Sequence, residues 1–208
     1  MQINGIHNIS FKAKAFQFRQ IDDLNRELCA EISGIPSSTR MYLKFDTVYK
    51  NYDSCLPKQS LFIKKSNEVM SRIWKLRDEF EEKYTLNQDY DYKLLQKLVR
   101  KHRGANCREM VELMKHKLTA KGIDCKLIGM DIKTKNPALR RMASDHIFLV
   151  ANMSEDAKTS DPTTWGSKAI IVDPWGQTVS YTADGINHLK TLFKLDETQE
   201  YMVFRQQV

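Results

Sequence analysis

The sequence predicts an α+β protein, and three observations predict it. The first half of the 208 residues carries apolar side chains mainly at helical spacing. The second half carries short apolar runs bounded by turn residues. Between the two stands one helix that opens on a cysteine. Helices first, then a helix laid on an antiparallel sheet, is the α+β order.

Residues 1–14 alternate weakly through Ile3, Ile6, Ile9 and Phe11, which predicts an edge strand or an extended arm. From Gln17 to Ser33 the period is helical. Ile21, Leu24, Leu28 and Ile32 share one face, and Gly34 with Pro36 ends the run. Residues 35–58 read as irregular, with a strand expected around Met41–Val48. A long helix is predicted over Ser60–Tyr84 on an inner stripe of Phe62, Val69, Ile73, Leu76 and Phe80, supported by Met70 and Trp74. Asn87-Gln88-Asp89 breaks it, and Asp89 is placed to cap a further helix bearing Tyr92, Leu95, Leu98 and Val99.

The next helix begins after Asn106 and runs to Lys121, with Gly122 at its C′ position. Strands follow at Ile123–Asp131 and Asp145–Asn152. The second of these sets His146, Phe148 and Val150 on one face, and Ile147, Leu149 and Ala151 on the other. Met153–Ser167 is a long polar loop, and loops of that length predict a lid. Lys168–Asp173 is a buried strand ended by Pro174-Trp175-Gly176. Gln177–Tyr181 and Gln199–Arg205 are further strands, with a short helix around Asn187–Leu195 between them. The expected organisation is a mainly helical portion, 1–87, packed on a core formed by 88–208, within one compact domain.

The net charge of +7 is uneven. Thirteen Lys and Arg lie between Lys97 and Arg141 against four acids, Glu109, Glu112, Asp124 and Asp131. Such a field can steer an acidic protein partner, nucleic acid or an anionic membrane, or be a solvated face with no particular partner. The stretch lacks interleaved aromatics and any nucleic-acid motif, so a nucleic-acid partner is not expected. Four scattered cysteines, Cys29, Cys55, Cys107 and Cys125, form neither a CxxC nor a Cys/His metal spacing and no disulfide framework for a chain of this size. No metal or organic cofactor is expected. No run is apolar and long enough to span a bilayer. The first residues lack a basic segment followed by an apolar one, so no cleaved secretory signal is expected.

Cys107 is the residue on which the chemistry turns. Asn106 is a good N-cap, and Glu109 follows at the capping-box distance. Cys107, Met110, Val111, Met114 and Leu118 then fall on one face, with Arg108, Glu109, Glu112, Lys115 and His116 mostly on the other. A thiol at the first helical position meets free backbone N–H groups and the positive end of the macrodipole, which favour a thiolate. A free cysteine is most often merely a small buried hydrophobe, so its partners decide. His146 begins the first strongly apolar strand after Cys107, and Asp173 ends the next. Neighbouring antiparallel strands can hold these two side by side, facing a helix N-terminus. A thiol nucleophile needs a base within hydrogen-bond reach, and the base needs an acceptor on its other ring nitrogen. His7, His102, His116 and His188 are less well placed, and Asp145 points to the face opposite His146. The Cys107 N–H is a natural oxyanion donor. A second donor is open among Asn87, Gln88, Gln96 and Asn106.

Three segments carry a family resemblance. Gly104-Ala105-Asn106-Cys107-Arg108-Glu109-Met110, then Asp145-His146-Ile147-Phe148, then Val172-Asp173-Pro174-Trp175 resemble the Cys–His–Asp core of the papain-like/transglutaminase-like superfamily, in its bacterial effector and toxin branch. The resemblance covers roughly residues 88–182 and implies that fold, with Cys107 as nucleophile, His146 as base and Asp173 as orienter. Ala105 is inserted between the glycine and Asn106. Lys101 stands where papain-type proteases place their oxyanion glutamine, which separates the chain from a strict protease pattern. The implied activity is attack on a protein glutamine carboxamide, giving deamidation or crosslinking, with a cysteine protease as the alternative. The implied setting is a virulence effector delivered without a cleaved signal into a host cytoplasm, or else the bacterial cytoplasm. Its basic stretch would dock an acidic surface of the host substrate. A non-enzymatic basic binding module on the same scaffold is the rival from another class.

Overall fold

The computed structural model describes residues 4–45, 57–83, 91–134, 145–195 and 200–207, with the side chains of 4–14, 42–45, 57–60 and 62 left aside. Within them the chain runs α1 (Asn4–Glu31), α2 (Ser38–Phe45), α3 (Pro57–Lys83), α4 (Tyr92–His102), α5 (Cys107–Thr119), β1 (Cys125–Thr134), β2 (Asp145–Ala151), β3 (Ile170–Asp173), β4 (Thr178–Tyr181), α6 (Thr182–Leu192) and β5 (Glu200–Gln206). The five strands form one antiparallel sheet in the order β4-β3-β2-β1-β5. This is the α+β architecture. No helix among the described residues is long and apolar enough to cross a membrane.

The helical half holds two corrections. Residues 4–14 belong to α1 rather than to a strand or arm, because Ile3, Ile6 and Ile9 recur every third residue, a helical interval and not an alternation. Residues 38–45 form α2 where a strand was expected. Ser37 caps it, its Oγ accepting from the Arg40 N–H at 3.2 Å. The part of that expected strand beyond Phe45 lies outside the described residues. The α3 stripe of Val69, Ile73, Leu76 and Phe80 is buried as its spacing requires, but Trp74 is 54% exposed, with the Arg77 guanidinium 5.2 Å from its ring. The cap of α4 is Asp91, which accepts from the Leu94 N–H at 2.9 Å. Asp89 lies outside the described residues.

In α5, burial reaches beyond the predicted face. Cys107, Met110, Val111, Met114 and Leu118 are buried, and so are Leu113 and Glu109. The helix lies on β1 and β2 and is covered by α1 and α4, so only narrow strips of it meet solvent. Gly122, at φ +69°, supplies the left-handed turn that leads out of it. One apolar cluster runs from Ile21 and Leu28 through Leu98 and Met114 to Phe148, Trp165 and Phe204. The loop after β2 is part of it. Trp165 is fully buried, edge-on to Phe204 at 5.6 Å, and its carbonyl accepts from the Ser154 N–H at 2.9 Å. That packing makes 153–167 a pinned Ω-type loop instead of a free lid.

Candidate active site

The site lies where the N-terminus of α5 meets β2 and the end of β3. Strand pairing sets the His–Asp pair: Leu149 faces Val172 and Val150 faces Ile171. One more step of that register sets Asp173 against Phe148, with His146 diagonally beside it on the same face. The side chains meet, His146 Nε2 lying 2.9 Å from Asp173 Oδ2, and each residue is only 1% exposed. Asp173 Oδ1 accepts from the Gly176 N–H at 2.9 Å, so both carboxylate oxygens are held. The imidazole packs against Trp175, at 4.8 Å, and Phe193, at 5.4 Å, both tilted to it.

Asp173 takes Nε2, which leaves Nδ1. That atom is buried and, among the described residues, closes no hydrogen bond of ordinary geometry. The Cys107 thiol interacts with the same ring, and Cys107 is itself only 7% exposed. Burial, the largest single influence, disfavours the imidazolium. The Asp173 carboxylate and hydrogen bond outweigh it, with Cys107 adding to them, and His146 rises to about 10. At neutral pH the ring therefore holds its second proton, between an acid that orients it and a thiol that can exchange a proton with it.

The turn that carries Cys107 is fixed from two sides. Asn106 and Glu109 form the capping box, with Glu109 Oε2 accepting from the Asn106 N–H at 2.9 Å. Glu109 is buried rather than solvated, because Arg77 reaches it from α3 with Nε at 2.7 Å from Oε1. The Asn106 carboxamide turns toward the start of α2. Its Oδ1 accepts from Ser37 Oγ at 2.9 Å and the Thr39 N–H at 3.3 Å, and its Nδ2 donates to Ser38 Oγ at 2.9 Å. The Cys107 N–H, at the first helical position, has no acceptor within its own helix.

These contacts narrow the search for a second oxyanion donor. The Asn106 carboxamide is occupied, and Gln96 Nε2 donates to Glu31 at 2.9 Å on another face of α4. Asn87 and Gln88 lie outside the described residues. The other described histidines are engaged elsewhere: His102 with Glu79 at 2.8 Å, His116 stacked on Tyr92, His188 with Thr178 at 2.8 Å. Asp145 is exposed, away from His146. The competing thiols are suppressed. Burial pushes Cys125 up to about 11, and burial also raises Cys29, opposed by Arg40. Cys55 lies outside the described residues.

Sequence reasoning missed Ser37, Arg40 and Arg77. Arg40 donates to the Trp175 carbonyl and stands 5.4 Å from the Trp175 ring, while Trp175 Nε1 donates to Ser37 Oγ at 2.9 Å. The Ser37-Ser38 pair after Pro36 is an N-cap signature that points to α2, but no local pattern says what α2 touches. The basic stretch is also partly neutralised by other helices. Lys101 pairs with Glu79 at 2.6 Å, and Lys117 with Glu31 at 2.8 Å and Glu27 at 3.0 Å.

Fold and site together define a class: an α+β protein with a buried cysteine, histidine and aspartate gathered where a helix start meets an antiparallel sheet. No protein-family model, curated protein or solved structure matches the chain.

Proposed function

We propose that the chain is a thiol-dependent acyl-transfer enzyme acting on the side-chain carboxamide of glutamine in a protein. Cys107 is the nucleophile, His146 the acid and base, and Asp173 the group that orients it. The observation that carries this reading is the placement of the imidazole: Asp173 holds Nε2 at 2.9 Å, and the Cys107 thiol at the start of α5 interacts with the same buried ring.

The reaction starts with the proton of the Cys107–His146 pair already on Nδ1, and Sγ adds to the carboxamide carbon. The carbonyl electron pair moves onto oxygen, toward the Cys107 N–H. The carbon–nitrogen bond then breaks, and ammonia leaves with the Nδ1 proton, giving a thioester and a neutral ring. Water adds to the thioester, passes a proton to Nδ1 and releases glutamate with the Cys107 thiolate. A lysine amine in place of water gives an isopeptide crosslink. Asp173 keeps one ring orientation throughout, so the same nitrogen serves both halves.

Enclosure supports a side-chain amide over a main-chain one. Cys107 is only 7% exposed among the described residues, and the tip of one side chain needs less open surface around a thiol than an extended main chain does. The fold we read, on the same motif order, is the papain-like/transglutaminase-like core of an effector that works in a host cytoplasm. The exposed cations of α4 and α5, Arg108 among them, would face an acidic substrate surface. The test is mass spectrometry of host-cell lysate proteins treated with wild type or Cys107→Ala. Glutamine converted to glutamate, or a glutamine–lysine isopeptide, in the wild-type sample alone is the expected result. New chain termini would replace this reading with proteolysis, and identical samples would end it.

A further inference from the structure

We infer that Ser37 is a positioning residue for this site: its hydroxyl ties the turn that carries Cys107 to the loop that carries Asp173. The inference rests on the Cys–His–Asp reading above and gives the helical N-terminal portion a part in it. Asn106 immediately precedes Cys107, and Trp175 lies two residues beyond Asp173. Ser37 Oγ donates to Asn106 Oδ1 at 2.9 Å and accepts from Trp175 Nε1 at 2.9 Å and from the Arg40 N–H at 3.2 Å. One donor and two acceptors are all that a hydroxyl has. Each is engaged, and Ser37 is 4% exposed, so water has little access to loosen them.

The two limbs lead to the two halves of the chemistry. Through Asn106 the hydroxyl fixes the first turn of α5. Through the Trp175 indole it fixes a ring 4.8 Å from the His146 ring. Arg40 reinforces the second limb by donating to the Trp175 carbonyl, with its guanidinium 5.4 Å from the indole. A fully satisfied buried network of this kind rigidifies what it joins. A displacement of about 1 Å between thiol and base costs roughly a hundredfold in rate. The space between Cys107 Sγ and His146 Nδ1 is thus set partly by a residue that touches neither.

The test follows the iodoacetamide alkylation rate of each cysteine in the full chain by peptide mass spectrometry, for wild type, Ser37→Ala and Trp175→Phe. Trp175→Phe cuts the same node from the other side, so it carries the test if Ser37→Ala does not fold. In wild type, Cys107 reacts faster at neutral pH than Cys29 or Cys125. Each variant lowers the Cys107 rate by roughly tenfold or more at neutral pH, and the deficit vanishes at strongly alkaline pH, where hydroxide ionises thiols unaided. A merely structural role has the opposite sign, because loosening a buried site speeds alkylation of Cys107 together with Cys29 and Cys125. An unchanged or increased Cys107 rate in both variants overturns the positioning role and leaves the triad standing. A wild-type Cys107 no faster than the other thiols overturns both.

Discussion

Gly176 lies so close to Asp173 that a methyl group built on it would run into Oδ2, the carboxylate oxygen that holds His146. The next carbon, Asp173 Cγ, would stand 3.0 Å away. The Gly176 N–H simultaneously donates to Oδ1 at 2.9 Å. A residue with no side chain is therefore required where the backbone folds back onto the acid.

Gly176→Ala is expected to displace the Asp173 carboxylate and with it the imidazole, while leaving every reacting atom in the chain. Cys107 alkylation at neutral pH should fall by roughly tenfold to a hundredfold. Thermal unfolding monitored on the same samples separates this from collapse of the fold. A fully reactive Cys107 in a folded Gly176→Ala protein would show that the Asp173 geometry does not matter.

The His146–Asp173 pair predicts a pH dependence of stability. The folded-state value of His146 is raised from 6.5 to about 10, so its contribution is fully present below about pH 6.5 and is lost as pH rises through about 10. In Asp173→Asn the larger raising partner is gone, and burial is opposed only by the contribution of Cys107. The stability gap between wild type and Asp173→Asn, measured from urea midpoints, should be full at about pH 6.5 and should narrow as pH rises toward about 10. A gap that stays flat or widens over that range contradicts the pairing.

Glu109 is buried beneath the Asn106 turn and paired with an Arg77 that is 28% exposed. Glu109→Ala removes a capping limb and the carboxylate that pairs with a partly exposed Arg77, for a cost of about 2 kcal/mol. Glu109→Gln keeps an acceptor for the Asn106 N–H and should lose about half of that. Equal losses in urea unfolding would mean that the charge, not the cap, holds the turn.

Trp165 anchors 153–167 to the core. Trp165→Ala should cost about 3–5 kcal/mol as a large buried aromatic. In the intact protein the Ser154 N–H, bonded to the Trp165 carbonyl, should exchange with solvent as slowly as sheet amides. Fast exchange there would restore the lid expected from loop length.

Much of the fold was legible because its signals are local. The α3 and α5 stripes, the Asn106 cap, the Gly122 stop and the β2 alternation are each written within a few residues, and each appears in the structure. His146 and Asp173 could be brought together in advance because a period of two assigns each strand residue a face, and neighbouring antiparallel strands can set those faces side by side. Residues 4–14 were misread because apolar residues three apart were taken for an alternation. Ser37 and Arg40 were out of reach for a different reason. Ser37 meets partners 69 and 138 positions away, and Arg40 one 135 away, and no periodicity reports on contacts of that range. Glu109 looked like a solvated charge because Arg77, the residue that allows its burial, sits on another helix.

The strand order has a kinetic consequence. β1 lies between β2 and β5. Its pairing with β2 closes a short connection, but Ile128 pairs with Gln206 and Thr134 with Glu200. Closing that edge brings together segments about 70 residues apart, which carries the larger loop entropy and is the slower pairing to form. However early β2 and β3 meet, β1 keeps one edge unpaired until residues 200–206 have left the ribosome. During synthesis α5 therefore rests on a sheet that is still one strand short.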